Sequence, residues 1–169
     1  MNNRRSFLKM AAPAAGMALA IEGVAHADSG AGTEFVGTWN TIHSLSFPPG
    51  YFREFLAFSQ GGILQETNSF LNTASNLDFS AFGLPSVLNA SDGMGNWTRV
   101  SRGVAQVVFR KLLFDGSRNN FADLLVTGVW KSDGKNLNGI ADIVVIDNST
   151  NKVLVDFGKA TSEGIRLLS

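Results

Sequence analysis

Residues 34–47 read EFVGTWNTIHSLSF, and the reading of this stretch decides the fold. Polar and apolar side chains alternate along it, the pattern of a β-strand with one buried face. Parity places Phe35, Gly37, Trp39, Thr41, His43 and Leu45 on one face and Val36, Thr38, Asn40, Ile42 and Ser44 on the other. The strand opens on Gly37, two positions before the largest side chain, and a glycine there needs a structural reason.

Outward from this stretch the same alternation recurs. Further runs lie at about 52–60, 63–71, 96–102, 104–115, 121–131, 137–147 and 152–160, and a ragged tail covers residues 161–169. Short glycine-bearing connections at Gly61-Gly62, Arg102-Gly103 and Asp133-Gly134 suit tight hairpins. The alternate connections, at 46–51, 72–95, 116–120 and 148–151, are longer. In a meander, alternate loops share an end, so tight turns gather at one end and long loops at the other. Antiparallel strands without covering helices hide their edges completely by closing. The expected fold is all-β, an eight-stranded antiparallel up-and-down β-barrel; a two-sheet sandwich is the competing arrangement.

A Gly-x-Trp on the first strand of such a meander, here Gly37-Thr38-Trp39, resembles the calycin superfamily, which includes lipocalins, fatty-acid-binding proteins and avidin. Compact exported barrels of the allene oxide cyclase or dirigent type are similar in outline. The resemblance implies that Trp39 closes the narrow end and that an arginine beyond the last strand, Arg166, packs across it. Gly37 would leave room for that approach. The chain departs from lipocalins where Lys131-Ser132-Asp133-Gly134-Lys135 replaces their Thr-Asp-Tyr motif, and it has no cysteine for a disulfide.

Facing positions follow from parity. Closing the second and third runs on Gly61-Gly62 puts Phe52, Glu54, Leu56, Phe58, Ile63, Gln65, Thr67, Ser69 and Leu71 on the more apolar, inward face, with Glu54 opposite Ser69. A long first loop sets His43 opposite Glu54 near the wide mouth. There the pair could act as general acid and base or orient a ligand's polar head. A neighbouring carboxylate favours the imidazolium and burial opposes it. The connection 72–95 carries Leu77, Phe79, Phe82, Leu84, Pro85, Val87 and Leu88, too much apolar surface for a solvated loop. It is either a lid over the mouth, beside Phe47 and Tyr51, or a short helix near 80–88 packed on the wall or plugging the barrel. Run 104–115 is apolar on both faces, so its outer face calls for a cover: the lid or a second subunit.

The start of the chain reads as a targeting segment. Asn3-Arg4-Arg5-Ser6-Phe7-Leu8-Lys9 resembles a twin-arginine export signal, an Ala- and Gly-rich apolar run follows, and Ala25-His26-Ala27 offers a cleavage site before Asp28. The expected organisation is a signal over 1–27, then one barrel domain over 28–169 exported to the periplasm or beyond. That apolar run is too short for a permanent span, so no integral membrane segment is expected in the mature chain. Cleavage would remove three basic and one acidic residue from a balanced chain of 14 and 14, leaving no basic footprint for nucleic acid. One histidine, His43, would remain, which excludes a zinc site built on several His or Cys ligands. No phosphate loop, dinucleotide fingerprint or nucleophile elbow is present, and no cofactor or metal is expected.

The functional expectation is a barrel binding a small, mainly apolar molecule. Its walls would supply affinity, and Thr41, His43, Tyr51, Glu54, Leu56, Phe58, Gln65, Thr67 and Ser69 would line the site. The alternative is a cofactor-free cyclase or isomerase in which His43 and Glu54 move a proton. A purely structural or partner-binding barrel is a third.

Overall fold

The computed structural model describes residues 33–46, 49–68 and 78–167. The export signal assigned to 1–27, the side chains Phe47 and Ser69, and the first part of the 72–95 connection lie outside the described residues. The strands are β1 (Gly37–Ser46), β2 (Pro49–Phe58), β3 (Ile63–Asn68), β4 (Asn89–Ala90), β5 (Gly93–Ser101), β6 (Val104–Phe114), β7 (Asn120–Ser132), β8 (Asn136–Ile146) and β9 (Val153–Arg166). Every pairing is antiparallel. β1 pairs with β9, and β6 pairs with both β5 and β7, so the sheet closes on itself. The two-residue β4 lies on the same side of β6 as β5, just ahead of it, and extends that wall. The result is the expected closed, eight-stranded up-and-down barrel. The tail beyond residue 160 is not ragged: β9 runs on to Arg166 because its second half pairs with β1.

The tight-turn end is sealed as the indole and guanidinium suggested. Trp39 and Arg166 are directly opposite in register, and the guanidinium carbon lies 4.9 Å from the indole centroid. Arg166 also donates to the carbonyls of Thr33 and Glu34, at 3.1 and 2.8 Å, while the indole N–H of Trp39 donates to the Phe35 carbonyl at 2.7 Å. Gly37 has φ +134°, a backbone conformation that side chains resist. A Cβ there would meet Arg166 only at ordinary contact, 3.7 Å, so conformation rather than room explains the glycine. Above this seal, Phe35, Phe58 and Trp97 pack with ring centroids 5.7–5.8 Å apart. Trp130 lies over Gly139, where a Cβ would fall 2.5 Å from the indole nitrogen.

Two turns differ from expectation, and both change register. β1 and β2 are separated by only residues 47–48, not by a long loop, so His43 faces Phe52 and Thr41 faces Glu54. The shift is two positions, which preserves parity, and His43 and Glu54 still point inward as diagonal neighbours. The β2–β3 hairpin closes on Ser59 and Ile63, with Ser59 N–H donating to the Ile63 carbonyl at 2.9 Å. Three residues therefore form the loop, the last being Gly62 at φ +79°. A three-residue loop in place of two slips the register by one and turns the partner strand over. Phe58 pairs with Leu64, Leu56 with Glu66 and Glu54 with Asn68. Leu64, Glu66 and Asn68 are buried inside, whereas Ile63, Gln65 and Thr67 are exposed outside. The inward placement of Gln65 and Thr67, and Ser69 as the partner of Glu54, are thus corrected.

β9 contains a bulge. Its register with β8 shifts between the pairs Asp142↔Lys159 and Val144↔Asp156, and Gly158 takes φ +70°. Val155 is buried before the bulge, and Ala160 and Ser162 after it. The extra residue thus resets which parity faces the lumen.

At the long-loop end, residues 78–88 bury Phe79 and Val87 and half-bury Leu84 against the core. Phe79 and Phe82 pack on Phe157 of β9, with centroids 5.8 and 6.3 Å away. The backbone continues as an addition to β6, Leu88 N–H donating to the Phe114 carbonyl at 2.8 Å and Ser91 N–H to the Leu112 carbonyl at 2.9 Å. One 3-10 turn, Ser80–Phe82, stands where a helix near 80–88 was an option. Tyr51, expected beside this loop, is 80% exposed on the outer face of β2. Val108 and Leu112 on the outer face of β6 are exposed too, so the described part of the loop does not cover them. No helix among the described residues is long and apolar enough to cross a membrane.

Candidate functional site

Inside the barrel, on the long-loop side of the aromatic base, seven polar side chains meet. β1 contributes Thr41 and His43, β2 Glu54, β3 Glu66 and Asn68, β6 Lys111 and β9 Ser162. All are buried, the most accessible being Asn68 at 6%. Burial of this many polar groups is unfavourable unless they satisfy one another, and most of them do.

The first group centres on His43. Ser162 Oγ lies 2.8 Å from its Nδ1, and Thr41 Oγ1 lies 3.2 Å from its Nε2. The Thr41 hydroxyl donates its own hydrogen to the Glu54 carbonyl at 3.1 Å. Its oxygen can therefore only accept from the ring, which places a proton on Nε2. Glu54 Oε1 stands 2.5 Å from the same Nε2. That carboxylate oxygen accepts no well-directed hydrogen bond, so the contact is not aligned along the N–H. Phe52 stacks on the imidazole at 5.0 Å and an interplanar angle of 12°, holding the ring in this plane.

The second group centres on Glu66. Lys111 Nζ donates to both of its oxygens, at 3.0 and 2.6 Å, Asn68 Nδ2 donates to Oε1 at 2.7 Å, and the Gly93 backbone N–H donates to Oε2 at 3.1 Å. The side chains of Lys111 and Glu66 are wholly removed from solvent. Burial and the nearby Glu54 carboxylate push the Glu66 carboxyl up to about 7, outweighing the opposing effect of Lys111 and Asn68. The two groups are therefore one electrostatic unit: among the described residues, two carboxyl groups share a lumen with one lysine and one imidazole.

Of the residues singled out from the sequence, Thr41, His43, Glu54, Leu56 and Phe58 lie inside. Leu56 and Phe58 belong to the apolar wall and base, and Trp39 and Arg166 form the seal. Tyr51, Gln65 and Thr67 face outward, and Ser69 lies outside the described residues. Sequence reasoning missed Glu66, Asn68, Lys111 and Ser162. Lys111 carried a signal: it has the same parity as Ala105, Val107, Phe109 and Leu113, a lysine on an otherwise apolar face. Glu66 and Asn68 were hidden by the hairpin slip, and Ser162 lay in the stretch 161–169 expected to be a ragged tail.

Chemically, the arrangement can accept, donate or relay a proton along Ser162–His43–Glu54 and can hold charge of either sign. Among the described residues no three His, Cys, Asp or Glu side chains are grouped to hold a metal ion. In comparisons with protein-family profiles, curated proteins and solved structures, no match to this chain was found.

Proposed function

We propose that this chain is an exported, calycin-like barrel that takes a small, mainly apolar molecule with a polar end into its lumen from the long-loop side. The observation that carries the reading is the buried polar cluster. Natural interiors rarely hold two carboxylates, a lysine and a histidine together unless these groups have something to recognise or to react with. Apolar walls from Leu56, Val107, Phe109, Val126, Ile143 and Val145 around that cluster suit a ligand that is greasy over most of its length. The Trp39–Arg166 seal supports the calycin-like assignment. The paired arginines, apolar run and Ala25-His26-Ala27 site support export by the twin-arginine route.

Native mass spectrometry on gently purified protein tests this reading. The expected result is a retained small molecule released on denaturation; protein that is always bare and gains no stability from any apolar compound defeats it.

A second reading, a cofactor-free cyclase or isomerase, is favoured by one specific observation. His43 is held between Ser162 and Glu54 with Phe52 stacked on it, the arrangement of an oriented acid–base group. Replacing His43 by Gln abolishes turnover if the barrel is an enzyme and only weakens ligand retention if it is a carrier.

A further inference from the structure

Within the cluster, Glu54 stands apart. Glu66 receives Lys111 on both oxygens, Asn68 on one and a backbone N–H on the other. Ser162 and Thr41 are hydrogen-bonded to His43. The Glu54 side chain is only 2% exposed, and its Oε1 is buried with no hydrogen bond. Its charged neighbour is the edge of His43, whose Nε2 proton also serves Thr41. A buried carboxylate oxygen whose one donor neighbour is off-axis and shared is under-satisfied, and a group that brings a well-directed donor to it is correspondingly favoured.

Charge points the same way. The lysine of the lumen is engaged on both oxygens of Glu66. Above about pH 7, where Glu66 is ionised, two carboxylates share the lumen with one ammonium and one imidazole among the described residues, and like charges repel strongly in a low-dielectric interior. The Glu66 carboxyl is pushed up by burial first and then by Glu54, which reflects repulsion between the two carboxylates. A third carboxylate would add to it, a hydroxyl would satisfy the open acceptor, and a protonated amine would do so while cancelling the charge.

We infer that the polar end of the ligand is a hydrogen-bond donor, an amine or a hydroxyl seated on Glu54, and that carboxylate-ended ligands are rejected. The inference rests on reading the barrel as a ligand carrier and names the ligand's chemical class. It assigns Glu54 the role of specificity determinant, with His43 and Phe52 forming the side of the seat. Affinity comes from the apolar wall, while the sign of the lumen selects among molecules with the same tail.

Calorimetric titration of the full chain with octylamine, 1-octanol and octanoate, at about pH 8 where the amine is charged and Glu66 is ionised, tests it. The three share a tail and differ at the head. Octylamine is expected to bind most tightly, 1-octanol next, and octanoate at least ~10-fold more weakly than the amine, the range of a charge-assisted hydrogen bond. Glu54→Gln should bring octylamine down to the level of 1-octanol. Glu54→Asp should keep the amine preference at reduced affinity. Octanoate binding as tightly as octylamine overturns the inference while leaving the ligand-binding reading standing. Absence of binding by all three overturns both. An amine preference that survives in folded Glu54→Gln places the seat elsewhere and overturns the assignment to Glu54; should that variant not fold, the order of the three probes on the unaltered protein decides.

Discussion

Replacing Lys111 by methionine should destabilise the barrel in a way that depends on pH. Lys111 Nζ sits 2.6 and 3.0 Å from the two oxygens of Glu66, and neither side chain reaches solvent. The Glu66 carboxyl titrates near 7 in the folded protein, against 4.5 for an unperturbed group. Between those two values the folded chain holds a proton that the unfolded chain has released, so stability falls as pH rises. The slope is about 1.4 kcal/mol per pH unit. Above about 7 the unaltered protein ionises Glu66 beside Lys111, and the decline ends. Lys111→Met has no ammonium to accompany that ionisation. Its Glu66 keeps the proton to higher pH, and its stability continues to fall at the same slope. The difference between the two proteins should therefore be level between about pH 5 and 7 and then widen, by about 3 kcal/mol from pH 7 to pH 9. That growth fits the roughly 3–5 kcal/mol usual for breaking a buried ion pair. Urea unfolding midpoints at the two ends of this range, for the unaltered protein, Lys111→Met and Lys111→Met/Glu66→Gln, provide the assay. The double variant, lacking the carboxylate, should lose the widening. An equal loss for Lys111→Met at pH 6 and pH 9 would refute the reasoning, because it would mean that Glu66 does not depend on Lys111 for its charge.

The unaltered protein should itself show the Glu66 contribution: stability highest below about pH 4.5 and declining toward about 7, with Glu54→Gln ending the decline at lower pH because one cause of the shift is gone. Asp133, held down to about 2 by hydrogen bonds from Asn136 and Lys135, acts with the opposite sign, contributing stability that is present above the usual carboxylate range and lost on acidification; a pH series of denaturation midpoints reads both. Arg166→Met should cost roughly 2–4 kcal/mol by removing two hydrogen bonds to backbone carbonyls and the stack on Trp39, and Arg166→Lys should not restore it, as measured by chemical denaturation followed through tryptophan fluorescence. Gly139→Ala, whose Cβ would fall 2.5–2.6 Å from the Trp130 indole, should lower stability by about 1–3 kcal/mol in a thermal melt. Phe79→Ala should cost about 2–4 kcal/mol and speed proteolysis of the segment around residues 78–88, because Phe79 is buried against Phe157.

Much of this architecture was legible in the residues themselves. Alternation along residues 34–45 placed Trp39, Thr41 and His43 on one face, and all three are buried there. The same reasoning put Glu54, Leu56 and Phe58 inside. Glycine-bearing turns at alternate connections indicated a meander, and a meander without covering helices indicated closure. The pairing of Trp39 with Arg166 was implied by the calycin resemblance and agreed with both lying at the same end of the meander. Legibility ended where a turn had to be counted. The first loop was read as long and is two residues, an even error that left His43 and Glu54 facing the lumen and in contact. The second was read as two residues and is three, an odd error that exchanged Gln65 and Thr67 for Glu66 and Asn68.

What the sequence by itself determined is therefore the strand, its two faces and the large residues that close the base, because side-chain alternation is a local property of an extended backbone. What only the tertiary structure decided is the composition of the lumen. Gly62 and Gly158, each at positive φ, add a single residue to a turn and to a strand, and so choose which of two faces is inside. That choice seats Lys111 on Glu66 and Ser162 on His43, and it leaves Glu54 Oε1 against the His43 ring with no directed hydrogen bond. The physical reason is that register is a whole-number relation between strands, so one residue of backbone conformation exchanges every side chain on a face.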